Sequence, residues 1–297
     1  MMLKLRFLAI LFIVLELPLA AQSDLREMIA SEIAGADARV GVAFKHIERG
    51  DTLSHNGNQK FPMQSVYKLH LGLAVLNQVE QGKLSLNQKI RISKSDLLEN
   101  SWSPIAKKYP DGNVELTVRE LLKYSISQSD NSACDILFRL VGGPAGVEQF
   151  MRRSGIENVS IVYTEAEMHK SWDAQYSNWT TPTAMVELLD RVQRQRVLRA
   201  EATAFVLNVM AETITGAKRI KGQLPPETIV AHKTGMSGLS EEGIRGAVND
   251  VGIITLPDGT HVAIAFFITD TKVEVEPLES LMAKISKHVF DHFAAEK

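Results

Sequence analysis

Patterns typical of β-strands lie near the two ends of this chain, and helical patterns fill its middle. Five segments either alternate apolar and polar residues or are rich in apolar and β-branched residues: 39–47, 51–53, 228–233, 247–256 and 261–269. Residues 61–213 instead show almost only apolar spacings of three and four, without a convincing strand. Because early and late strands can share a sheet, we predict one antiparallel five-stranded sheet with an inserted all-helical lobe.

Amphipathic helix patterns at residues 24–33 and 278–293 flank the strand segments at both ends. We therefore assign an α/β lobe to residues 22–60 plus 214–297 and an all-helical lobe to residues 61–213. The predicted fold class is α/β in the broad sense and α+β in the narrow sense, because the strands are antiparallel and the helices are segregated from them.

Residues 1–21 have the three regions of a secretory signal peptide. Lys4 and Arg6 precede an apolar stretch at residues 7–15, and small residues follow at positions 19–21. An uncleaved membrane anchor is the alternative, but the apolar stretch is well short of the roughly 20 residues that a membrane-spanning helix needs. We therefore expect a mature protein that is periplasmic or secreted.

The composition narrows the functional classes. The chain has 297 residues, 45% of them hydrophobic, and a formal net charge of -2, which is typical of a soluble globular protein and unlike a nucleic-acid or anionic-membrane binder. The eight histidines show no metal-ligand spacing, so we expect no metal and no cofactor. Cys134 is the only cysteine; it cannot form an intramolecular disulfide, and its apolar helical surroundings favour a buried, inert thiol.

The segment Ser65-Val66-Tyr67-Lys68 places a serine and a lysine three residues apart at the start of an apolar run. Positions i and i+3 share a helix face, so the hydroxyl and the amine can come within hydrogen-bonding distance. A serine hydroxyl becomes a good nucleophile when a neighbouring base takes its proton, and a lysine can be that base where burial or another cation lowers its pKa. Taken alone, this motif is more often a polar helix start with an extended lysine.

Two further motifs give the first one its weight. Ser129-Asp130-Asn131 lies where one helix pattern ends and another starts, and by itself is typical of a turn with a helix N-cap. Lys233-Thr234-Gly235 ends a predicted strand. Together and in this order, the three motifs resemble the active-site set of class A serine β-lactamases and the related penicillin-binding proteins. The resemblance spans about residues 24–293 and implies one catalytic unit with its site between the two lobes.

Residues 154–178 are polar, aromatic and weakly periodic, and we interpret them as a long ordered loop. They contain Glu165-Ala166-Glu167-Met168-His169, which is similar to the Glu-x-x-Leu-Asn motif of class A enzymes. The resemblance implies that Glu165 activates a water against the acyl-serine ester. Glu167 is the competing assignment, which we reject because only Glu165 has the Met-His pair at the matching offset. The Met-His version resembles the cephalosporinase and extended-spectrum branch, and it makes His169 a candidate for orienting that water.

The resemblance implies that Ser65 attacks the lactam carbonyl, with its proton taken by Lys68 or by Glu165 through a water. The oxyanion would lie between the backbone N–H groups of Ser65 and Met236. The resemblance also gives roles to the other motif residues. Ser129 would pass the proton to the leaving nitrogen, Asn131 would hold the side-chain amide of the substrate, and Asp130 would brace the turn. Lys233 and Thr234 would bind the substrate carboxylate, and Gly235 is a further substrate-binding residue.

Three residues outside the motifs also match family positions. Trp102 resembles the aromatic residue at the site entrance, with a packing tryptophan as the alternative. Arg219 resembles an arginine that supports the substrate carboxylate from behind, with a surface arginine as the alternative. His232 directly precedes Lys233, and we expect it to have a packing role.

The implied activity is hydrolysis of β-lactam antibiotics, which confers resistance, with cephalosporins favoured by analogy. The implied partners are small-molecule β-lactams; we expect a monomer with no nucleic acid and no stable membrane association. Two alternatives stay open, namely a D,D-peptidase that acts on peptidoglycan stems and a non-catalytic β-lactam sensor.

Overall fold

The computed structural model describes residues 18–295. Most of the predicted signal peptide, residues 1–17, lies outside the described residues. The α-helices of the described part are Pro18–Ala34 (α1), Tyr67–Glu80 (α2), Pro104–Lys108 (α3), Val118–Ser127 (α4), Asn131–Leu140 (α5), Gly143–Arg153 (α6), Glu165–Met168 (α7), Pro182–Gln193 (α8), Ala200–Ala211 (α9) and Val275–Ala295 (α10). Short 3-10 helices span Gln64–Val66, Lys94–Asp96, Asp173–Ser177 and Ile220–Gln223. Between residues 18 and 295, no helix is long and apolar enough to cross a membrane.

The predicted five-stranded sheet is confirmed. The strands are Arg39–His46 (β1), Thr52–His55 (β2), Phe61–Pro62 (β3), Lys89–Ile92 (β4), Val114–Thr117 (β5), Val159–Ser160 (β6), Trp179–Thr180 (β7), Val230–Met236 (β8), Val248–Thr255 (β9) and His261–Thr269 (β10). The large sheet has the order β2-β1-β10-β9-β8, and its neighbouring strands pair antiparallel. Strands from the beginning and end of the chain therefore meet at the β1–β10 pair, where Val42 is opposite Phe266.

The expectation that residues 61–213 contain no strand is wrong. Strands β3, β7 and β6 form a small sheet, and β4 pairs with β5. These strands are two to four residues long, which is too short for alternation to stand out in the sequence. Residues 154–178 are likewise more structured than a plain loop, because they contain β6, α7 and the 3-10 helix Asp173–Ser177.

Local sequence signals set the N-terminal ends of two helices, as predicted. The Thr117 hydroxyl accepts a hydrogen bond from the Glu120 backbone N–H, and the Glu120 carboxylate accepts one from the Thr117 N–H at 2.7 Å. This capping box starts α4. Helix α8 begins at Pro182 after Thr181, whose hydroxyl caps the Ala184 N–H; proline lacks only an N–H that has no partner in the first turn.

Both faces of the large sheet are covered, and alternate residues of each strand pack into different apolar clusters. Val42 and Phe44 belong to a cluster with α1 and α10, whereas Ala43 belongs to a second cluster with the helical lobe. Helix α2 runs through this second cluster and is buried continuously from Tyr67 to Leu76. A helix that is apolar on all sides needs such an enclosed position. The N-terminal end of α2, which carries Lys68, is thereby held rigidly.

Candidate active site

A cleft of about 620 Å³ opens where six segments meet: the 3-10 turn before α2, residues 100–102, the turn between α4 and α5, the segment 154–178, residues 215–219, and the end of strand β8 with the residues that follow it. The site residues predicted from the sequence that line it are Ser65, Trp102, Ser129, Asn131, Glu165, His169, Arg219, Thr234, Gly235 and Met236. The other three, Lys68, Asp130 and Lys233, are buried. Lys68 and Lys233 contact lining residues, and Asp130 lies between two of them in the chain.

Lys68 connects the serine to the rest of the site. The 3-10 helix that contains Ser65 runs directly into α2, so the two side chains come together on one face, as their spacing predicts. Nζ of Lys68 donates to Ser65 Oγ at 3.0 Å and to the Ser129 carbonyl at 2.8 Å, and it also donates to the Asn131 side chain. Its distance to Oε1 of Glu165 is 3.0 Å. One buried amine nitrogen therefore reaches both a hydroxyl and a carboxylate.

Ser129 lies between two lysines because of its backbone conformation. Helix α4 ends at Ser127, and α5 begins at Asn131; between them, Ser129 has a φ of +58 degrees, a left-handed conformation that costs a non-glycine residue about 1–2 kcal/mol. Its carbonyl faces Lys68, and its hydroxyl accepts a hydrogen bond from Lys233 Nζ at 2.9 Å. Such strain is found where the surrounding structure enforces a functional geometry.

The side chain of Asp130 fixes the turn between α4 and α5. Its carboxylate accepts hydrogen bonds from the Ser103 hydroxyl at 3.0 Å, from the Ile105 N–H at 2.7 Å and from the Ala133 N–H at 2.8 Å. It is thus the N-cap of α5 and also contacts the start of α3. Burial raises the pKa of its carboxyl above the ordinary value, against these hydrogen bonds. The turn that carries Ser129 and Asn131 is therefore tied to two helices.

The structure separates the two glutamates of α7. The Glu167 carboxylate accepts hydrogen bonds from the Thr164 N–H at 2.9 Å and the Thr164 hydroxyl at 3.0 Å, so it completes a capping box. Glu165, in contrast, is buried beside Lys68. This geometry agrees with Glu165, not Glu167, as the carboxylate of the site.

Asp135 holds the backbone of Glu165, a contact that the sequence reasoning missed. Its carboxylate accepts the Glu165 N–H at 2.8 Å and the Ala166 N–H at 2.9 Å. Burial, together with the nearby Glu165 charge, raises the pKa of Asp135 to about 6 despite these hydrogen bonds. A signal existed, because Asn131 and Asp135 are four residues apart on a mainly apolar helix and so share one face.

Tyr67 and Cys134, the single cysteine of the sequence, lie near the Glu165 carboxylate. The Sγ atom of Cys134 is 3.7 Å from the Tyr67 hydroxyl. Both residues are buried, as the apolar pattern predicts for Cys134. Burial raises the pKa of the Cys134 thiol and of the Tyr67 phenol well above their ordinary values, and the Glu165 charge adds to both shifts. Both groups therefore stay protonated near neutral pH.

Strand β8 supplies a buried cation. Nζ of Lys233 donates to the Thr234 carbonyl at 2.8 Å and to the Ser129 hydroxyl. Burial and the charge of Lys68 hold the pKa of Lys233 well below its ordinary value, although the charges of Asp250 and Glu165 oppose this shift. The hydroxyl of Thr234, 2.6 Å from that of Thr215, lies in the cleft wall.

Arg219 is a buried arginine and not a surface one. Its guanidinium donates to the Gly235 carbonyl at 3.2 Å and the Asn249 carbonyl at 2.8 Å, and it pairs with Glu279 at 3.1 Å. Gly235 itself is required by packing, because a Cβ there would be 2.5 Å from the Met63 carbonyl oxygen. The arginine therefore supports the segment of β8 that follows Lys233.

Two apolar side chains lie at the rim of the cleft. Trp102 and Met236 are each 51% exposed. The indole N–H of Trp102 donates to the Gln128 carbonyl at 2.8 Å. Trp102 is thus anchored to the turn before Ser129 and also lines the entrance. It is therefore both an entrance residue and a packing residue, the two alternatives that the sequence offered.

The two histidines near the site differ in their surroundings. Nε2 of His169 is 3.3 Å from the Ser101 hydroxyl, which accepts a hydrogen bond from the Asn131 side chain at 2.7 Å. His232 is buried, and its Nδ1 is 2.9 Å from Oδ1 of Asp250. His232 thus packs within the protein and does not line the cleft. Within residues 18–295, no group of three or more His, Cys, Asp or Glu side chains is placed to hold a metal ion.

Comparisons with known proteins agree with this geometry. The model of the beta-lactamase enzyme family matches residues 22–293. Beta-lactamase VEB-1 from Pseudomonas aeruginosa is 43% identical over 276 residues, which cover 92% of each chain. Extended-spectrum beta-lactamase PER-1 from the same organism is 42% identical, covering 91% of this chain and 88% of that protein.

Among solved structures, the TLA-1 extended-spectrum β-lactamase superposes with a TM-score of 0.90 at 46% identity, covering 92% of this chain and 99% of that one. The fold, the assembled site and these relatives lead to one conclusion: the chain belongs to the beta-lactamase enzyme family and is a class A β-lactamase.

Proposed function

We propose that this β-lactamase works through a covalent acyl-serine intermediate on Ser65 and that Glu165 drives its hydrolysis. The observation that carries the proposal is the position of Lys68, whose Nζ is 3.0 Å from Ser65 Oγ and 3.0 Å from Glu165 Oε1. A nucleophile, a proton acceptor and a second base are thus connected before any substrate binds.

In the acylation step, Ser65 Oγ attacks the lactam carbonyl carbon and gives its proton to Lys68, or to Glu165 through a water. The oxyanion lies between the backbone N–H groups of Ser65 and Met236, and donors of this kind commonly contribute ~10²–10³ in rate. Ser129 then passes a proton to the leaving nitrogen. Its hydroxyl is suited to that transfer because it contacts Lys233 and its carbonyl contacts Lys68.

The anionic carboxylate of the substrate binds to Lys233 and Thr234, with Arg219 supporting β8 from behind. A cation recognises a carboxylate through charge-assisted hydrogen bonds. Asn131 binds the side-chain amide of the substrate through the same side chain that contacts Lys68 and Ser101 in the free protein.

Hydrolysis of the acyl ester requires a water on which Glu165 acts as the general base. His169 is close enough to the cleft to help orient that water. Cephalosporins are the favoured substrates: PER-1 and TLA-1 are described as extended-spectrum enzymes, and the Met-His pair after Glu165 follows the same analogy. We further propose a monomer, without a cofactor, that is periplasmic or secreted after removal of its signal peptide.

The test is to mix the purified mature protein with a chromogenic cephalosporin and follow the product over time. We expect sustained turnover in the wild type, a single stoichiometric burst in Glu165→Ala, and neither in Ser65→Ala. A wild type that gives only the burst would overturn hydrolysis and favour an acyl-trapped binding protein. Turnover in Ser65→Ala would overturn the nucleophile assignment.

A further inference from the structure

Gln64, the residue before the nucleophile, has an unusual backbone conformation and a specific side-chain partner. Its φ is +47 degrees, in the left-handed region that non-glycine residues rarely adopt. Its side-chain Nε2 donates to Oε1 of Gln175 at 2.8 Å. Gln175 belongs to the 3-10 helix Asp173–Ser177, in the same segment of the chain as Glu165. The two glutamines therefore connect the nucleophile turn to the segment that carries the base.

The partner glutamine is held in place. Gln175 is only 4% exposed, and its Nε2 donates to the Trp172 carbonyl at 2.9 Å, so the amide has a partner on each side. Gly246 leaves room for it, because a Cβ at that position would be 2.4 Å from Gln175 Oε1. A buried amide with both ends paired has one favourable orientation.

The next residue anchors the same 3-10 helix on its other side. The Tyr176 hydroxyl donates to Oδ1 of Asp270 at 2.7 Å, and Asp270 pairs with Arg39 at 3.0 Å. The side chains of Asp270 and Arg39 are 41% and 38% exposed, so this second anchor is screened by solvent and contributes little. The contact between Gln64 and Gln175 is therefore the side-chain hydrogen bond that relates the 3-10 helix to the turn of the reacting serine, beside the backbone hydrogen bond from the Met63 N–H to the Asn178 carbonyl at 2.8 Å.

We propose that the Gln64–Gln175 hydrogen bond is a positioning device, which holds the segment 164–178 against the nucleophile turn so that Glu165 reaches the ester on Ser65. The proposal rests on the proposed function. In deacylation, the oxygen of a water bonds to the acyl carbon while Glu165 takes one of its protons. The bond from that carbon to Ser65 Oγ then breaks, and the proton returns to Oγ.

Loss of this hydrogen bond affects the two chemical steps unequally. Lys68 lies on the turn after Ser65, so acylation keeps its nearest proton acceptor when the segment 164–178 shifts. Deacylation depends on Glu165, which that segment carries. A misplaced catalytic group is costly, since a displacement of about 1 Å can lower a rate ~10²-fold. The expected signature is a slower deacylation with little change in acylation, so that kcat and KM fall together.

The test compares Gln64→Leu, Gln175→Leu and the double variant in stopped-flow acylation and in decay of the acyl-enzyme followed by intact mass. We expect each single variant to lose ~10-fold or more in deacylation, and the double variant to lose no more than the worse single one, because both remove one interaction. Gln175→Glu keeps an acceptor for Gln64 and should restore part of the rate. Tyr176→Phe is the matched control, and we expect it to retain the wild-type ratio of the two rates.

Hydrogen exchange in peptides spanning residues 164–178 provides a second readout. This exchange should be faster in both leucine variants than in the wild type. Equal losses in acylation and deacylation, multiplicative effects in the double variant, unchanged exchange, or an equal loss in Tyr176→Phe would each overturn the proposal. A failure of the proposed function looks different, because the unmodified protein would then not deacylate at all.

Discussion

Oε1 of Glu165 lies 3.0 Å from Nζ of Lys68, and the two side chains are 6% and 0% exposed. One comes from the short helix α7 and the other from the first turn of α2. Taking one partner away from a buried ion pair commonly costs 3–5 kcal/mol, because it leaves the other charge without compensation. Substitutions at this pair therefore report on both catalysis and stability.

Replacing Glu165 with Gln should trap the acyl-enzyme. The amide keeps the shape of the side chain but cannot take a proton from water, so we expect deacylation to fall ~10²–10⁴-fold while acylation persists. Intact mass spectrometry after mixing with a β-lactam should show the mass of the protein plus the substrate.

Glu167→Gln is the matched control for this experiment, because Glu167 lies in the same helix but caps its own N-terminus. It should keep turnover and stay close to the wild-type stability, because a glutamine at this position can also complete the capping box. If Glu167→Gln accumulates the adduct and Glu165→Gln does not, the assignment of the two glutamates is wrong.

The affinity for anionic β-lactams should weaken at alkaline pH, because Lys233 then loses its charge. Burial and the charge of Lys68 hold the pKa of Lys233 well below its ordinary value. A lysine loses its charge as the pH rises through its pKa, so KM should increase at a lower pH than an exposed lysine would produce. The measurement is KM as a function of pH for a substrate that carries no other titrating group in this range.

Lys233→Arg tests the cause of that limit, since an arginine stays protonated throughout. If the variant remains active, the rise in KM should disappear or move to higher pH. An unchanged pH profile in the variant would exclude Lys233 as the titrating group.

Asp135→Ala should weaken the segment that carries Glu165. The carboxylate accepts two backbone N–H groups, and hydrogen bonds to a charged acceptor contribute about 1.5–3 kcal/mol each. We expect a loss of stability of at least about 1.5–3 kcal/mol, the contribution of one such hydrogen bond, in urea unfolding, together with slower deacylation. Asp111→Ala, at an exposed position, is the control and should leave both quantities near the wild-type values; equal effects in the two variants would contradict the assignment.

His70 should make the protein less stable in mild acid. Burial lowers the pKa of His70 from 6.5 to about 4, so between these values the unfolded chain binds a proton that the folded protein does not. Stability therefore decreases as the pH falls through that interval, by about 2 kcal/mol between pH 7 and pH 5.

Urea unfolding of the wild type and of His70→Gln at both pH values measures this contribution. The variant should lose less stability on acidification than the wild type does, by about the same 2 kcal/mol. His55→Gln, in the partly exposed end of β2, should follow the wild type. An equal pH dependence in wild type and His70→Gln would show that other groups cause the acid sensitivity.

Much of the architecture could be read from local patterns. Strand β10 spans the predicted residues 261–269, and α4 begins directly after Thr117, which forms the predicted capping box with Glu120. These features depend on neighbouring residues, so the linear order is enough to reveal them. The lobe boundaries at residues 60–61 and 213–214 and the signal peptide at residues 1–21 stay predictions.

The members of the site were also predictable, because the three motifs and the Glu165 segment occur in a recognisable order. The contacts that each side chain makes were not predictable. Arg219 could have been exposed, yet it is buried under β8; Asp135 and Gln175 looked like ordinary polar residues and contact the segments that carry Glu165 and Ser65.

The sequence by itself therefore determined the sheet, most of the helices and the residue types that line the cleft, since those depend on short-range periodicity and on recognisable motifs. Only the tertiary structure decided that Lys68 lies between Ser65 and Glu165, and that Gln64 binds Gln175. Those distances arise from the packing of segments far apart in the chain, which sequence spacing does not specify.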